Sequence, residues 1–76
     1  MKFPKDKVCA RVKEAREAIS GKRGAKSFSR MMEEEYNTYR EYESGIVNLD
    51  FLQKMSERTT YRIEWLLLGQ LPAKRE

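Results

Sequence analysis

The amino-acid sequence predicts an all-α domain built from five short helices. Only two prolines occur in the 76 residues, Pro4 and Pro72, and they lie near the ends, so the interior is free to form helices. No segment alternates apolar and polar residues with the period of two that a half-buried strand shows. Apolar residues recur instead at the spacing of a helix packed on one face. A chain of this length forms one domain, which we place at residues 1–76.

The first three predicted helices are separated by turn residues. Apolar residues at helical spacing between Val8 and Ile19 place the first helix at about residues 5–20. The stretch SGKRGAKS, residues 20–27, is a predicted turn because it contains two glycines. A short second helix follows and begins near Phe28. The third helix ends at Gly45, since glycine commonly follows the last helical residue.

Two further helices complete the predicted bundle. Apolar residues mark a fourth helix within 49–55 and a fifth within 63–67, which Gly69 and Pro72 end. Residues from about 70 to 76 are predicted to be a frayed tail. Each helix is too short to be stable alone in water, so packing of the apolar faces must hold the helices together.

Several classes of function are disfavoured by composition. One cysteine, Cys9, and no histidine rule out an intrachain disulfide framework and a zinc site of the Cys/His kind, and no metal or cofactor is expected. Cys9 has no histidine to activate it as a nucleophile, and a short chain has little room for a pocket, so we expect no enzyme activity. No apolar run approaches the roughly 18 residues of a membrane span, and the N-terminus lacks the apolar core of a signal peptide. We therefore expect a cytoplasmic protein without a membrane partner.

The charges are unevenly distributed along the chain, whose net charge is +4. Residues 1–30 carry ten Lys/Arg against three acids, a net of +7, and residues 31–50 carry one base against six acids, a net of −5. Residues 51–76 carry five bases against three acids. The basic first segment is either a footprint for a polyanion or an ordinary solvated surface.

Four segments, taken in order, point to a family. They are RVKEAR (11–16), TYREYESG (38–45), FLQKMSE (51–57) and EWLLLG (64–69). Together they resemble the helix-turn-helix DNA-binding domain of phage repressors and Cro-like regulators. Two lengths depart from that pattern. The turn between the first two helices is about two residues longer than in common members, and the link after the third helix is about one residue shorter.

The resemblance implies a fold and a function. The fold is a five-helix bundle of the lambda-repressor type, with the helix-turn-helix unit at about residues 25–45 and the third helix in the major groove. The implied function is sequence-specific binding of double-stranded DNA by a repressor-like transcriptional regulator from a phage or bacterium. A homodimer on two half-sites is a possible assembly.

The resemblance also assigns roles to individual residues. Base-reading side chains are expected from Tyr36, Asn37, Arg40 and Glu41. Phosphate contacts are expected from Lys22, Arg23, Lys26, Ser27, Arg30 and Thr38. Arg16 and Glu43 fall where some members form a buried ion pair, and Glu35 falls at the N-cap of the third helix.

The chemistry of two of these residues suits base recognition. In the major groove Asn37 can pair in bidentate fashion with adenine, and Arg40 with guanine. Each residue also has a structural alternative. Asn37 can satisfy backbone groups at the start of the helix, and Arg40 can be an intrahelical partner of Tyr36 or Glu43. The basic residues of the first turn and second helix are likewise either phosphate ligands, assisted by N–H groups at the helix start, or solvated side chains.

The run EEE at residues 33–35 is the main conflict with this interpretation. Family members usually have a glycine-containing turn and an apolar residue where this chain has Glu33 and Glu34. Either a non-glycine residue takes the left-handed conformation at some cost, or the turn is rebuilt, or the two helices partly merge. Acids at the start of the third helix suit its dipole but weaken binding to phosphates.

Other sources of phosphate affinity are also reduced. The link after Gly45, often basic in the family, is the uncharged IVN, and Ala25 replaces a common glutamine. Two hypotheses follow. Either DNA is bound, with the glutamates pointing away or accepting from cytosine N4, or the third-helix face meets a protein partner with a basic surface, as an antirepressor would.

Overall fold

The computed structural model describes residues 5–45 and 47–75. Its helices are α1 (Lys5–Ser20), α2 (Ala25–Met31), α3 (Tyr36–Ser44), α4 (Leu49–Arg58) and α5 (Ile63–Leu68). The described part of the chain contains no strand beyond one isolated antiparallel bridge, between Tyr61 and Lys74. The predicted all-α fold with five helices is confirmed. Residues 1–4 of the predicted domain, Ile46 of the predicted link and Glu76 of the predicted tail lie outside the described residues.

An aromatic cluster forms the centre of the core. The Tyr39 side chain of α3 is fully buried, and its ring centroid lies 5.5 Å from that of Phe28 in α2 and 5.8 Å from that of Phe51 in α4. The Tyr42 ring stacks on Phe51 at 4.3 Å. Edge and offset contacts of this kind stabilise aromatic pairs beyond the area that they bury. The cluster therefore fixes α3 between α2 and α4.

α1 completes the core along one apolar face. Val8, Val12 and Ala15 are fully buried at the spacing predicted from the sequence, and α1 contacts α2, α3 and α5. Leu66 of α5 is also fully buried. Because α1 touches α3 as well as α2 and α5, it helps to hold α3 in position.

The C-terminal segment differs from the predicted frayed tail. Arg62 N donates to Ala73 O at 2.8 Å, and Arg75 N donates to Thr60 O at 2.7 Å. The Arg75 guanidinium also donates to Ser56 O at 2.8 Å. That carbonyl belongs to the last turn of α4, where carbonyl groups have no partner within the helix. Residues 73–75 therefore pack on the end of α4, through contacts that are distant in sequence.

Candidate nucleic-acid interface

The corner between α2 and α3 keeps the two helices separate. Glu33 has a φ of 56°, which is the left-handed conformation, and the helices do not merge. Glu33 N donates to Arg30 O at 3.0 Å, and Glu34 N donates to Ser29 O at 2.8 Å. These are the two hydrogen bonds of a Schellman motif, in which glycine usually occupies the left-handed position. For a residue with a Cβ, that conformation costs about 1–2 kcal/mol. Of the three alternatives for this corner, the structure therefore has the left-handed non-glycine residue.

Two bases of α4 neutralise the acids of this corner. Glu34 Oε1 lies 3.4 Å from Lys54 Nζ and accepts a hydrogen bond from Tyr42 Oη at 3.3 Å. Glu33 Oε1 lies 3.4 Å from Arg58 Nη1. Such partly exposed pairs add little stability. They do place positive charge against both carboxylates, so the corner presents less negative charge beside α3 than the sequence suggests.

Glu35 is the third acid of the run and has a different environment. It is the N-cap of α3, with extended backbone, and its side chain is exposed and makes no capping hydrogen bond. Its charge lies at the positive end of the α3 dipole, which favours a carboxylate there. A carboxylate at Glu35 therefore favours the start of α3 whether or not a ligand is bound.

The two faces of α3 have opposite characters. The predicted base-reading residues are all exposed: Tyr36, Asn37, Arg40 and Glu41. The other face carries the buried Tyr39 ring and the Glu43 carboxylate, which turns toward α1. The outward face is therefore free to meet a ligand while the inward face is held by the core.

The structure bears on the structural alternatives proposed for Asn37 and Arg40. The N-cap of α3 is Glu35 and no side-chain hydrogen bond caps the helix, so the Asn37 amide does not do so. Arg40 does have an intrahelical contact, because its Cζ lies 5.8 Å from the centroid of the Tyr36 ring. It does not pair with Glu43, whose carboxylate is bound to Arg16. The i, i+4 spacing of Tyr36 and Arg40 is the sequence signal for their contact.

One buried guanidinium joins α1, the first turn and α3. Arg16 Nε lies 2.9 Å from Glu43 Oε2, and Arg16 Nη2 lies 3.1 Å from Oε1, which is a bidentate pair. Arg16 Nη1 donates to Gly21 O at 2.8 Å and to Lys22 O at 3.0 Å. The two residues that the family resemblance assigns to an ion pair are in contact. The bonds to the turn, which the sequence did not indicate, tie the segment that carries Lys22 to the same group that holds α3.

The charge state of Glu43 follows from this arrangement. Partial burial of the carboxyl opposes its ionisation, but the hydrogen bonds and positive charge of Arg16 outweigh that effect, and the pKa of Glu43 lies below its ordinary value of 4.5. The hydrogen bond with Glu43 likewise raises the pKa of Arg16. Both partners are therefore charged at neutral pH.

The Tyr39 hydroxyl is buried beside this ion pair. Within the described residues it meets no partner at hydrogen-bonding geometry, although it lies against Glu43 and Arg16; burial first, and then the Glu43 carboxylate, raise the pKa of Tyr39 well above its usual range, while Arg16 opposes that rise. A buried hydroxyl without a partner costs about 1–3 kcal/mol. Tyr39→Phe keeps the ring and removes the hydroxyl, so we expect it to raise the free energy of unfolding by about 1 kcal/mol in urea denaturation. A loss of stability in this variant would show that the hydroxyl does bond to the pair.

The predicted phosphate-contacting residues lie on the first turn, on α2 and on α3. Lys22 and Arg23 are in the turn, and Lys26, Ser27 and Arg30 are on α2; all five are exposed. In the described parts of the chain the four bases form no ion pair. Thr38 is half-buried on α3. The bases of the turn and α2 are thus available to an anionic partner.

Gly24 permits the close approach that starts α2. A Cβ at this position would collide with the carbonyl group of Ser20, so only glycine fits between the end of α1 and the start of α2. Phe28 N donates to Gly24 O at 2.9 Å and thereby begins the α2 hydrogen-bond ladder. The glycine predicted as a breaker therefore sets how near the basic turn lies to α1.

Each helix in residues 5–45 and 47–75 is too short or too polar to cross a bilayer. The same residues contain no group of three or more His, Cys, Asp or Glu side chains arranged to hold a metal ion. Comparison of the chain with models of known protein families, with curated proteins and with solved structures finds no match.

Proposed function

We propose that this chain is a helix-turn-helix domain that binds double-stranded DNA sequence-specifically, as a cytoplasmic, repressor-like transcriptional regulator. The observation that carries the proposal is the outward face of α3, where Tyr36, Asn37, Arg40 and Glu41 are exposed together. In the major groove, an asparagine amide matches adenine, an arginine guanidinium matches guanine, and a carboxylate accepts from cytosine N4. The helix therefore carries a donor and acceptor set suited to base edges.

A reading helix must also be held rigidly, and α3 meets this requirement. Its inward face is fixed by the fully buried Tyr39 and by the bidentate pair of Glu43 with Arg16. Arg16 also bonds to the carbonyl groups of Gly21 and Lys22, in the turn that precedes α2. The same cation thus positions the proposed reading helix and the proposed phosphate-contacting turn relative to one another, which favours precise docking.

The acidic run is compatible with this function because of its contacts. Glu33 and Glu34 are paired with Arg58 and Lys54, so their charge is partly compensated within the domain. Phosphate affinity would come from the exposed bases of the first turn and α2. Glu35 and Glu41 remain exposed near α3, and on this proposal Glu41 contributes to base choice by accepting from cytosine.

The second candidate function is a protein-interaction module on the same framework. The exposed acids Glu35 and Glu41 flank the Tyr36 and Arg40 pair, and tyrosine and arginine are enriched at protein interfaces. A partner with a basic surface, met in the manner of an antirepressor, would fit this face. This alternative predicts weak or no binding to DNA.

Salt dependence of duplex binding separates the two functions. The chain is titrated with a fluorescent random-sequence duplex between about 50 and 200 mM salt. Contacts from the four exposed bases predict a slope of log affinity against log salt of about −3 to −4, so affinity falls by about 100-fold over this range. If no binding occurs at the lowest salt concentration, the protein-interaction function is favoured and DNA binding is excluded.

Arg40→Ala tests whether the Arg40 side chain recognises one base pair of the DNA. We expect loss of about 1–3 kcal/mol of discrimination at one base pair, with unchanged helix content by circular dichroism because the side chain is exposed. Lys74→Ala is the control, since it removes one charge from a residue that contacts Tyr61 rather than α2 or α3. Equal loss of affinity across all sequences in the Arg40 variant would assign Arg40 to phosphate instead.

A further inference from the structure

We infer that Tyr36 and Arg40 act as one unit in recognition, in which the Tyr36 ring is a positioning residue that holds the Arg40 guanidinium for a guanine. This inference rests on the proposed DNA-binding function. It changes the role of Tyr36, which the family resemblance treats as a base reader in its own right. The unit is defined by the contact of Arg40 Cζ with the Tyr36 ring, 5.8 Å from the centroid, on the exposed face of α3.

Helix geometry accounts for the contact. Tyr36 is the first residue of α3, and Arg40 lies one turn later on the same face. Long side chains on a helix lean toward its N-terminus, so Arg40 extends back over Tyr36. The contact is therefore formed by the free domain and needs no ligand to induce it.

The contact leaves the recognition edge of Arg40 open. The Arg40 Cζ atom lies over the ring, while the five N–H donors of a guanidinium lie in its own plane and point outward from that carbon. Within the described residues, Arg40 forms no ion pair that would occupy these donors, and Glu43, one of its two candidate partners, is bound to Arg16. Two donors at one edge match O6 and N7 of guanine.

The contact also reduces the side-chain entropy that Arg40 loses when it binds DNA. A free arginine side chain on an exposed helix face samples many rotamers and must lose them on binding. The ring restricts Arg40 before DNA arrives, and arginine stacks well on aromatic faces. The Tyr36 ring therefore increases specificity at the base pair that Arg40 reads, without contacting that pair.

The test uses a site selected from a random duplex pool and a set of its single-base-pair variants. Tyr36→Phe keeps the ring, Tyr36→Leu removes it while keeping apolar bulk, and both are combined with Arg40→Ala. Arg40→Ala identifies the base pair that Arg40 reads. Tyr36→Leu should reduce discrimination at that same pair by about 2- to 5-fold, whereas Tyr36→Phe should preserve it. In the Arg40→Ala background, Tyr36→Leu should cause no further loss at that pair.

The contrary results are distinct from one another. If Tyr36→Leu relaxes a different base pair, or leaves the pair read by Arg40 unchanged, Tyr36 is not a positioning residue and the inference is wrong while DNA binding stands. If Tyr36→Phe has the same effect as Tyr36→Leu, the hydroxyl rather than the ring is responsible, and the inference is again wrong. If the unaltered chain selects no site, the proposed function itself fails and the inference fails with it. Circular dichroism on each variant confirms that the exposed substitutions leave the fold intact.

Discussion

Glu43→Ala is expected to lower the free energy of unfolding by about 3–5 kcal/mol, because it leaves the Arg16 guanidinium buried without a carboxylate. Arg16 is only 3% exposed, so its charge depends on partners supplied by the protein. The loss is a large share of the stability that a chain of this size has. Urea denaturation followed by circular dichroism measures it.

Glu41→Ala is the matched control on the same helix. Glu41 is exposed and belongs to the outward face of α3, so its removal should change stability by no more than about 0.5 kcal/mol. Replacing both partners, as Arg16→Met with Glu43→Leu, should recover part of the loss because no uncompensated charge remains. If Glu43→Ala costs no more than Glu41→Ala, the pair does not hold α3.

The same pair should make the fold sensitive to acid. The folded pKa of Glu43 lies below its ordinary value of 4.5, so the pair contributes fully above about pH 4.5. As the pH falls through that value toward the lower folded pKa, the unfolded chain takes up the proton first, and the contribution is lost. Glu43→Gln should therefore show a smaller decline of stability in this acid range than the unaltered chain.

Removing two bases from α2 should have the largest effect on DNA affinity. Lys26→Ala combined with Arg30→Ala is expected to weaken duplex binding on the order of 100-fold at about 0.1 M salt, since each phosphate left without its base retains about one counterion. The salt slope should become shallower by about two. Both side chains are exposed, so the fold should be unaffected. Fluorescence anisotropy at several salt concentrations measures both quantities.

The control for the Lys26 and Arg30 double variant removes two positive charges outside the first turn and α2. Lys7 and Lys74 are exposed residues of α1 and of the C-terminal segment, and neither belongs to the proposed phosphate-contacting set. Their double replacement with alanine should leave the salt slope almost unchanged. An equal weakening in the two double variants would mean that net charge alone, and not the surface of α2, determines affinity.

The helices could be predicted from the sequence because their signals are local. The apolar stripe of α1 and the glycine that ends α3 gave boundaries that the structure confirms, at Lys5–Ser20 and at Gly45. The apolar stripe includes Ile19 at its C-terminal end, but that residue is 42% exposed, so the stripe overestimates burial there. The hydrogen bonds of the C-terminal segment could not be predicted, for a different reason. Its order depends on Arg75 bonding to the end of α4, and no pattern within the segment indicates that bond.

The corner between α2 and α3 shows where local sequence reasoning stops. Glycine is the residue expected at the left-handed position, and its absence left three alternatives open. The structure retains the left-handed corner at Glu33, with both Schellman hydrogen bonds formed and Arg58 beside the carboxylate. That partner comes from α4, so the EEE run alone could not show it.

The candidate site was predictable in part. The outward position of Asn37 and Arg40 came from the family resemblance, and both side chains are exposed in the structure. The pairing of Arg16 with Glu43 came from the family resemblance and not from spacing. The bonds from Arg16 to the turn carbonyl groups depend on the packing of α1 against that turn, and so they became visible only in three dimensions.

The central claim is that the outward face of α3 and the basic surface of the first turn and α2 meet duplex DNA together. Backbone amide resonances followed by NMR during titration with a selected duplex at low salt test this claim most directly. We expect the largest shifts at residues 36–41 and 22–30, with residues of α5 little changed. Shifts confined to α4 and α5, or none at the lowest salt concentration, would contradict it.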